Sequence, residues 1–244
     1  MNRWLLPLIA TGAVVAATAF LSKPGEVCVG GYTTSLAGRS RSQRHNSQLS
    51  LDNLQGITLA PGETFSFNKV VGSFSRDEGY RRAPVSYNGQ LIESWGGGVC
   101  QTSTTLYNAA LLAGLKIVER NRHRFAPSYV PPGRDAAVAY SEIDLKLRNP
   151  YSFPVRILGE IKGDRLSLGF YAAQSLPNRP VIEGDVREAK TPDTYQIGKP
   201  HGFARVRNSG KTGFQVAVYR VIGNKKELIS MDSYPGMSRV IEYR

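Results

Sequence analysis

The residues best suited to chemistry surround Cys100, which follows three consecutive glycines and precedes a strongly apolar segment. Glycines accept positive φ and let another backbone approach closely, and their N–H groups can stabilise a developing oxyanion. A cysteine at the start of a helix has a lowered thiol pKa, because the helix N-terminus favours the thiolate. Since a thiolate is the competent nucleophile for acyl transfer, Cys100 is the candidate nucleophile, with Gly97, Gly98 and Gln101 as candidate substrate-binding or oxyanion residues.

A cysteine nucleophile needs a base, and His123 is the candidate among the three histidines of the chain. It follows the predicted helix after one connection, so a returning strand can bring it back to the start of that helix. Asp135 is the expected partner that orients the imidazole, as the third member of a triad does, and Asp144 is the competing candidate. The predicted catalytic residues are therefore Cys100, His123 and Asp135.

Other roles for Cys100 stay open from sequence alone. The second cysteine of the chain is Cys28, and a Cys28–Cys100 disulfide is an alternative that suits an exported protein. An inert buried Cys100 is another. Two cysteines cannot build a four-cysteine zinc site, and Cys100 with His123 lacks further ligands at a suitable spacing. We therefore expect no metal and no cofactor.

The elements that must position these residues are one strong helix and several antiparallel hairpins. Residues 104–115 are apolar nearly all round, which predicts a buried helix, and residues 43–55 form a weaker helix. Strand alternation and turn residues predict hairpins over residues 85–92, 155–171 and 213–230. The expected fold class is α+β, an antiparallel sheet packed on the buried helix, with a small β-rich C-terminal appendage.

Composition divides the chain into four regions. The uncharged run over residues 4–21 predicts a signal peptide or an N-terminal membrane anchor at residues 1–21. Residues 22–42 show no apolar period and are interpreted as a linker. Residues 43–175 form the main domain, and residues 176–244 form a β-rich C-terminal extension. Either interpretation of the N-terminus places the rest of the chain outside the cytoplasm, secreted or anchored in the cell envelope.

The chain is strongly basic, with 31 Lys and Arg against 19 Asp and Glu and a formal net charge of +12. Positive charge spread over the whole chain favours an anionic polymer as partner. Because the predicted location is extracytoplasmic, we expect peptidoglycan or another anionic wall polymer and not nucleic acid. Residues 4–21 add the membrane as a partner if they stay uncleaved. With 41% hydrophobic residues, the composition excludes global disorder.

Several collinear segments resemble the VanW-like family, which is named after an accessory protein of vancomycin-resistance clusters. The longest is GGGVCQTSTTLYNAALLAGL at residues 96–115. The resemblance covers residues 33–171, and the segments GFQVAVYRV and DSYP resemble a tail that often follows this domain. The other matching segments are PGETFSFNKVVG, GYRRAPV, ERNRH, YVPPGRDAAVAY and DLKLRN.

The resemblance implies an exported, wall-associated bacterial protein. Some VanW-domain proteins are understood to act as L,D-transpeptidases with a cysteine nucleophile that link peptidoglycan stem peptides, and that role falls on Cys100 here. The sequence therefore favours an extracytoplasmic cysteine acyltransferase that forms a thioester, with hydrolysis by the same cysteine left open. The alternative is a non-catalytic envelope protein that binds wall polymer or a protein partner through its basic surface.

Overall fold

The computed structural model describes residues 23–87, 90–188, 192–200 and 202–243. In these ranges the helices are α1 (Arg41–Leu54), α2 (Phe67–Val71) and α3 (Val99–Leu112). The strands of the same ranges are β1 (Val27–Ser35), β2 (Thr58–Leu59), β3 (Thr64–Ser66), β4 (Arg82–Tyr87), β5 (Gln90–Trp95), β6 (Lys116–Glu119), β7 (Lys146–Arg148), β8 (Val155–Lys162), β9 (Arg165–Ala172), β10 (Val181–Glu188), β11 (Tyr195–Ile197), β12 (Ala204–Lys211), β13 (Phe214–Ile222), β14 (Lys225–Tyr234) and β15 (Met237–Tyr243).

Helix α3 lies at the centre of the main domain, because nearly all of its residues are buried. It packs against α1, β1, β6 and β9. The helix begins at Val99, earlier than the predicted start at residue 104, so Cys100 lies inside its first turn. The first turn is polar, and an apolar pattern therefore does not reveal it. The apolar residues that α3 contributes to the core include Leu106, Ala109, Ala110 and Leu111.

A four-stranded antiparallel sheet in the order β1-β9-β8-β2 packs against α3. Strand β9 is buried at almost every position, as expected for a strand covered by a helix. Gly30 of β1 is required at this contact, since a Cβ there would lie 2.2 Å from the backbone nitrogen of Ala113. The end of α3 therefore rests directly on the backbone of β1.

Strand β1 shows that the linker interpretation of residues 22–42 is wrong. Residues 27–35 pair with β9 along the whole strand, with one irregularity in register. Helix α1 follows directly after its N-cap, Ser40, which forms a complete capping box. Two adjacent glycines interrupt the alternation that marks a strand in sequence, and pairing with β9 supplies what the local pattern lacks.

The described part of the chain is an α+β fold built mostly from antiparallel strands. The three predicted hairpins are present as β4–β5, β8–β9 and β13–β14. The prediction of one sheet on one helix is too simple: the described strands divide among five small sheets, and α1 packs beside α3 as a second long helix. Strands β11 and β15 pair in parallel.

The C-terminal extension contributes to the core of the main domain. Its described residues form two three-stranded sheets, with the orders β10-β13-β14 and β11-β15-β12. Ile182, Val216, Val218 and Tyr234 of the first sheet belong to the same apolar cluster as α3. The end of β14 therefore lies in contact with the elements that surround the helix.

The signal peptide or anchor predicted at residues 1–21 lies outside the described residues. Across the ranges that the structure does describe, no helix has the length and apolar character needed to cross a bilayer. The extracytoplasmic location therefore stays a prediction.

Candidate active site

Cys100 is the second residue of α3. In the first turn of a helix the backbone N–H groups have no intrahelical acceptor, and the helix dipole favours a negative charge. The Cys100 side chain is half-buried, and its Sγ lies 3.4 Å from the carbonyl oxygen of Val138. The sulfur therefore occupies a position that lowers the pKa of a thiol and is not sealed in the core.

His123 and Asp135 converge on Cys100. Nδ1 of His123 lies 2.6 Å from Oδ2 of Asp135, and the second ring nitrogen is left for the hydrogen bond between His123 and the Cys100 thiol. The Asp135 side chain is fully buried, whereas that of His123 is 19% exposed. An imidazole held between a thiol and a carboxylate is the arrangement of an activated cysteine nucleophile.

Polar side chains of α3 hold the segment that carries Asp135. The N–H of Ala136 donates to Oγ1 of Thr104 at 3.0 Å. The amide of Asn108 donates to the carbonyl oxygen of Arg134 at 2.7 Å. These two bonds fix the residues on either side of Asp135, so the helix that presents the nucleophile also positions the carboxylate.

Four donors surround the Asp135 carboxylate. Oδ2 accepts from the ring and from the backbone N–H of His123, the latter at 2.7 Å. Oδ1 accepts from Nη2 of Arg120 at 3.0 Å and from the hydroxyl of Tyr234. Arg120 also makes two bonds, of 2.8 and 2.7 Å, to the carboxylate of Asp232. Because Asp232 and Tyr234 belong to β14, the C-terminal extension supports the site.

These contacts shift the three pKa values toward an ion pair. Burial opposes ionisation of Cys100, but the hydrogen bond and positive charge of His123 hold the pKa of the thiol below its ordinary value. Burial also opposes protonation of His123, yet its bonds with Asp135 and Cys100 raise its pKa to about 10. Burial favours a neutral Asp135, but His123 and Arg120 keep the pKa of this carboxyl low. The site therefore favours a thiolate beside an imidazolium.

The family described as VanW like protein matches residues 42–171, more than half of the chain. The chain belongs to the VanW-like family. It is 40% identical over 151 residues to "Uncharacterized protein YoaR" of Bacillus subtilis (strain 168), covering 62% of this chain and 50% of that protein. It is 32% identical over 140 residues to "Vancomycin B-type resistance protein VanW" of Enterococcus faecalis (strain ATCC 700802 / V583), covering 52% of this chain and 51% of that protein. The chain therefore spans about half the length of these curated relatives.

The crystal structure of HP0197-G5 aligns over all of its length with 28% of this chain, at 17% identity and a TM-score of 0.17. A likeness this weak carries no argument about fold or function. The VanW-like match, in contrast, includes all three residues that converge at the site, Cys100, His123 and Asp135.

The glycines that precede Cys100 in the VanW-like domain are explained by packing. Gly98 has a φ of +114°, and a Cβ there would lie 2.3 Å from the backbone oxygen of Gln43 in α1. A Cβ at Gly97 would lie 2.8 Å from the backbone oxygen of Pro84 in β4. Protein atoms occupy both places, so these glycines let the start of α3 approach α1 and β4. A contribution to substrate approach or oxyanion binding stays a prediction.

Gln101 of the VanW-like domain is buried and holds neighbouring segments together. Its Nε2 donates to the carbonyl oxygen of Ser35 at 2.8 Å and to Oγ1 of Thr34 at 3.2 Å. Its Oε1 accepts from Nε of Arg39 at 2.9 Å. Both amide hydrogens therefore bond to β1. The side chain of Gln101 has no free N–H left for the predicted role in substrate or oxyanion binding.

The side chain of Asp144 contacts the start of α2. Its carboxylate accepts from the backbone N–H of Asn68 at 2.9 Å and from the hydroxyl of Ser66. Both bonds stabilise the N-terminal turn of that helix. The structure therefore places Asp135, and not Asp144, beside the imidazole.

Sequence reasoning does not identify four residues that support this site. The hydroxyl of Tyr129 donates to the carbonyl oxygen of Cys100 at 3.4 Å. Of the other three, Arg120 and Tyr234 donate to the Asp135 carboxylate, and Asp232 pairs with Arg120. Arg120 lies in the segment ERNRH and two lie in DSYP, so the family resemblance marks these positions without giving their roles. The remaining supporting residues are Arg120, Asp232 and Tyr234.

Cys28 and Cys100 are both free, so the structure contains no disulfide between them. Burial raises the pKa of the Cys28 thiol. Within the described ranges, no group of three or more His, Cys, Asp or Glu side chains is arranged to hold a metal ion.

Proposed function

We propose that this VanW-like protein is a cysteine acyltransferase of the cell envelope that acts on peptidoglycan stem peptides. The observation that carries the proposal is the convergence of Cys100, His123 and Asp135 at the N-terminus of a buried helix. The lowered pKa of Cys100 and the raised pKa of His123 supply a nucleophile and an acid in the same ion pair. Such a pair suits thioester chemistry.

In the first half of the reaction, the Cys100 thiolate attacks a peptide carbonyl carbon and forms a C–S bond. The tetrahedral oxyanion then collapses, and the C–N bond to the leaving residue breaks. The leaving amine takes the proton of the His123 imidazolium. Asp135 stabilises the imidazolium before this transfer and keeps the ring oriented after it.

In the second half, the amine of an acceptor stem peptide attacks the thioester carbonyl. His123, now neutral, takes the proton of this amine as the new C–N bond forms. The C–S bond breaks and Cys100 leaves as a thiolate, which restores the starting ion pair. If water takes the place of the amine, the same residues hydrolyse the thioester.

The choice of stem peptides rests on evidence outside the triad. The chain shares its family with a relative named "Vancomycin B-type resistance protein VanW". Its sequence carries the signature that implies wall-associated transpeptidases in this family. Its net charge of +12 attracts an anionic polymer. These observations support a wall substrate, and the reaction itself is tested directly.

The test incubates the purified protein with tetrapeptide muropeptides and detects dimers by mass spectrometry. We expect dimers and a mass adduct on Cys100 with the wild-type protein. Cys100→Ser removes the nucleophile and should lower product formation by more than about 10³-fold. Cys28→Ser is the matched control, since it removes the other thiol and should leave product formation unchanged.

Two outcomes contradict the proposal. Cys100→Ser with wild-type turnover excludes Cys100 as the nucleophile. A wild-type protein that gives no dimer, no hydrolysed peptide and no adduct excludes the stem peptide as substrate. Hydrolysed product without dimer assigns the same cysteine to hydrolysis.

The basic charge favours a second candidate, a non-catalytic protein that binds an anionic wall polymer. In that case Cys100→Ala leaves co-sedimentation with purified sacculi unchanged, and added salt abolishes it by screening. Co-sedimentation that is insensitive to salt and is lost with Cys100→Ala contradicts this candidate.

A further inference from the structure

Arg39 lies in the connection between β1 and α1, beside the residue that follows the nucleophile. Its Nε donates to Oε1 of Gln101 at 2.9 Å. The guanidinium carbon lies 5.2 Å from the ring centroid of Tyr129, in a cation–π contact. Gln101 is itself held by the carbonyl oxygen of Ser35. The guanidinium is therefore fixed at one edge and on one face.

The opposite edge of the Arg39 guanidinium has no carboxylate partner among the described residues. Arg120 and Arg220, two other arginines of the described ranges, pair with Asp135 and Glu227. Arg39 is half-buried. Among the described residues, Nη1 and Nη2 of Arg39 have no hydrogen-bond partner, and a half-buried, positioned guanidinium with two such nitrogens matches the geometry of a carboxylate.

Tyr129 connects Arg39 to the nucleophile. Its ring contacts the guanidinium, and its hydroxyl lies 3.4 Å from the carbonyl oxygen of Cys100. Tyr129 also lines a shallow, open depression of about 400 Å³ formed by residues 128–132. One phenol ring therefore separates the guanidinium from the nucleophilic residue, at the rim of a depression open to solvent.

We propose that Arg39 binds a substrate carboxylate one residue away from the carbonyl that Cys100 attacks. The substrate class is then a peptide with a free carboxylate at that position. This inference rests on the proposed function, because it assigns a specificity residue to the same acyl-transfer site. Arg39 makes no hydrogen bond or ion pair with His123 or Asp135 in the described structure, so its role in this proposal is substrate choice and not activation of the thiol.

The influences on the Cys100 thiol support this separation. The largest influences on its pKa are burial, His123, the Val138 carbonyl and Asp135, and Arg39 is not among them. Removal of the Arg39 charge should therefore leave the intrinsic reactivity of the thiol unchanged. The effect should appear only when the reacting molecule carries a carboxylate.

The experiment uses two matched alkylating probes, N-iodoacetylglycine and N-iodoacetylglycinamide. They differ only in a carboxylate one residue beyond the reacting carbon. Alkylation rates of Cys100 are measured by intact mass in the 244-residue chain, with Cys28→Ser to remove the second thiol. We expect the wild-type site to prefer the carboxylate probe, and Arg39→Met to reduce that preference about tenfold, the value of one charged hydrogen-bonded contact.

Two variants control the experiment. Arg187→Met removes the same charge from β10, where the side chain is 76% exposed, and should leave the preference unchanged. Arg39→Lys keeps the charge and loses the planar edge, so it should retain part of the preference. The rate with the amide probe verifies in each variant that the site is folded.

The outcomes separate the two proposals. A Cys100 that reacts with both probes no faster than the free thiol of N-acetylcysteine overturns both the proposed function and this inference. A fast Cys100 whose probe preference survives Arg39→Met overturns the inference alone. Equal slowing with both probes in Arg39→Met also overturns it, because it assigns Arg39 to bracing Tyr129.

Discussion

Cys28 and Cys100 are two half-buried thiols of one chain in opposite electrostatic environments. Cys28 lies on β1 against β9, where burial raises the pKa of its thiol and the neighbouring Tyr171 hydroxyl and Gly30 backbone offset this only in part. Cys100 lies at a helix start beside an imidazole, and its pKa is lowered. Partial burial therefore does not decide the direction of the pKa shift in these two thiols, because only Cys100 has an imidazole beside the sulfur.

The largest effect on this contrast should come from His123→Gln. Glutamine keeps a polar side chain of similar size and cannot exchange the proton, so acyl transfer should fall about 10²–10⁴-fold. The pKa of Cys100 should rise toward that of Cys28, because the positive charge beside the sulfur is gone. Both quantities are measured by muropeptide turnover and by alkylation against pH.

His45→Gln is the matched control for this variant. The ring of His45 bonds to the backbone oxygen of Gly79 at 3.0 Å and does not contact either cysteine in the described structure. It should leave turnover and both thiol pKa values unchanged. A His123→Gln protein that keeps wild-type turnover would exclude the imidazole as the acid and base.

The pH dependence of alkylation should distinguish the two wild-type thiols, with an effect smaller than that of His123→Gln. A thiol reacts as its thiolate, so its rate rises as pH passes its pKa. The alkylation rate of Cys100 should therefore be half-maximal at a pH below the ordinary value of 9.0, and that of Cys28 at a pH above it. At pH 8, alkylation of Cys100 should be faster than that of Cys28, since the thiol with the lower pKa has the larger thiolate fraction. Coincident profiles would contradict the contrast.

Acyl transfer should show a second limb at high pH. The reaction needs the imidazolium of His123 to protonate the leaving amine, and its pKa of about 10 keeps that form present across neutral pH. Turnover should therefore rise as Cys100 ionises and fall as pH passes about 10. Alkylation, which needs no acid, should keep its plateau there, so the two profiles divide at high pH.

The same contrast shows what local sequence determines. The glycine run and the apolar segment after it identify Cys100, and spacing brings His123 and Asp135 into consideration. Sequence leaves Asp135 and Asp144 as competitors, because both follow His123 at a suitable distance. The choice depends on bonds from Thr104 and Asn108, which α3 directs at the residues flanking Asp135. Such tertiary contacts have no local signature.

The fold also divides into elements with a local sequence signal and elements that depend on tertiary contacts. The hairpins were predictable because turn residues and alternation are local, and they are confirmed. Strand β1 was not predictable, since its glycines break the alternation and its partner β9 is distant in sequence. The role of the extension at the site was also hidden, because Asp232 and Tyr234 meet Arg120 and Asp135 only in three dimensions.

The smallest effect on turnover should come from Tyr234→Phe. This variant tests whether the C-terminal extension supports the site of Cys100 and leaves Cys28 unaffected. The variant removes one of four donors to Asp135 and keeps the ring in the core. It also removes the acceptor of the Gly133 N–H and of Nη2 of Arg120. The bond lost to Asp135 costs about 1 kcal/mol, and kcat should fall about fivefold. KM should stay unchanged, because Tyr234 does not face the substrate in the proposed arrangement.

Tyr219→Phe on the adjacent strand β13 is the control, since Tyr219 contacts Lys226 and makes no bond to Asp135 in the described structure. Cys28 alkylation should be unchanged in both variants, because no residue of β14 influences its thiol. If kcat stays at the wild-type value in Tyr234→Phe, the ring and backbone of His123 together with Arg120 suffice to hold the carboxylate. In that case β14 stabilises the fold without tuning the reaction at Cys100.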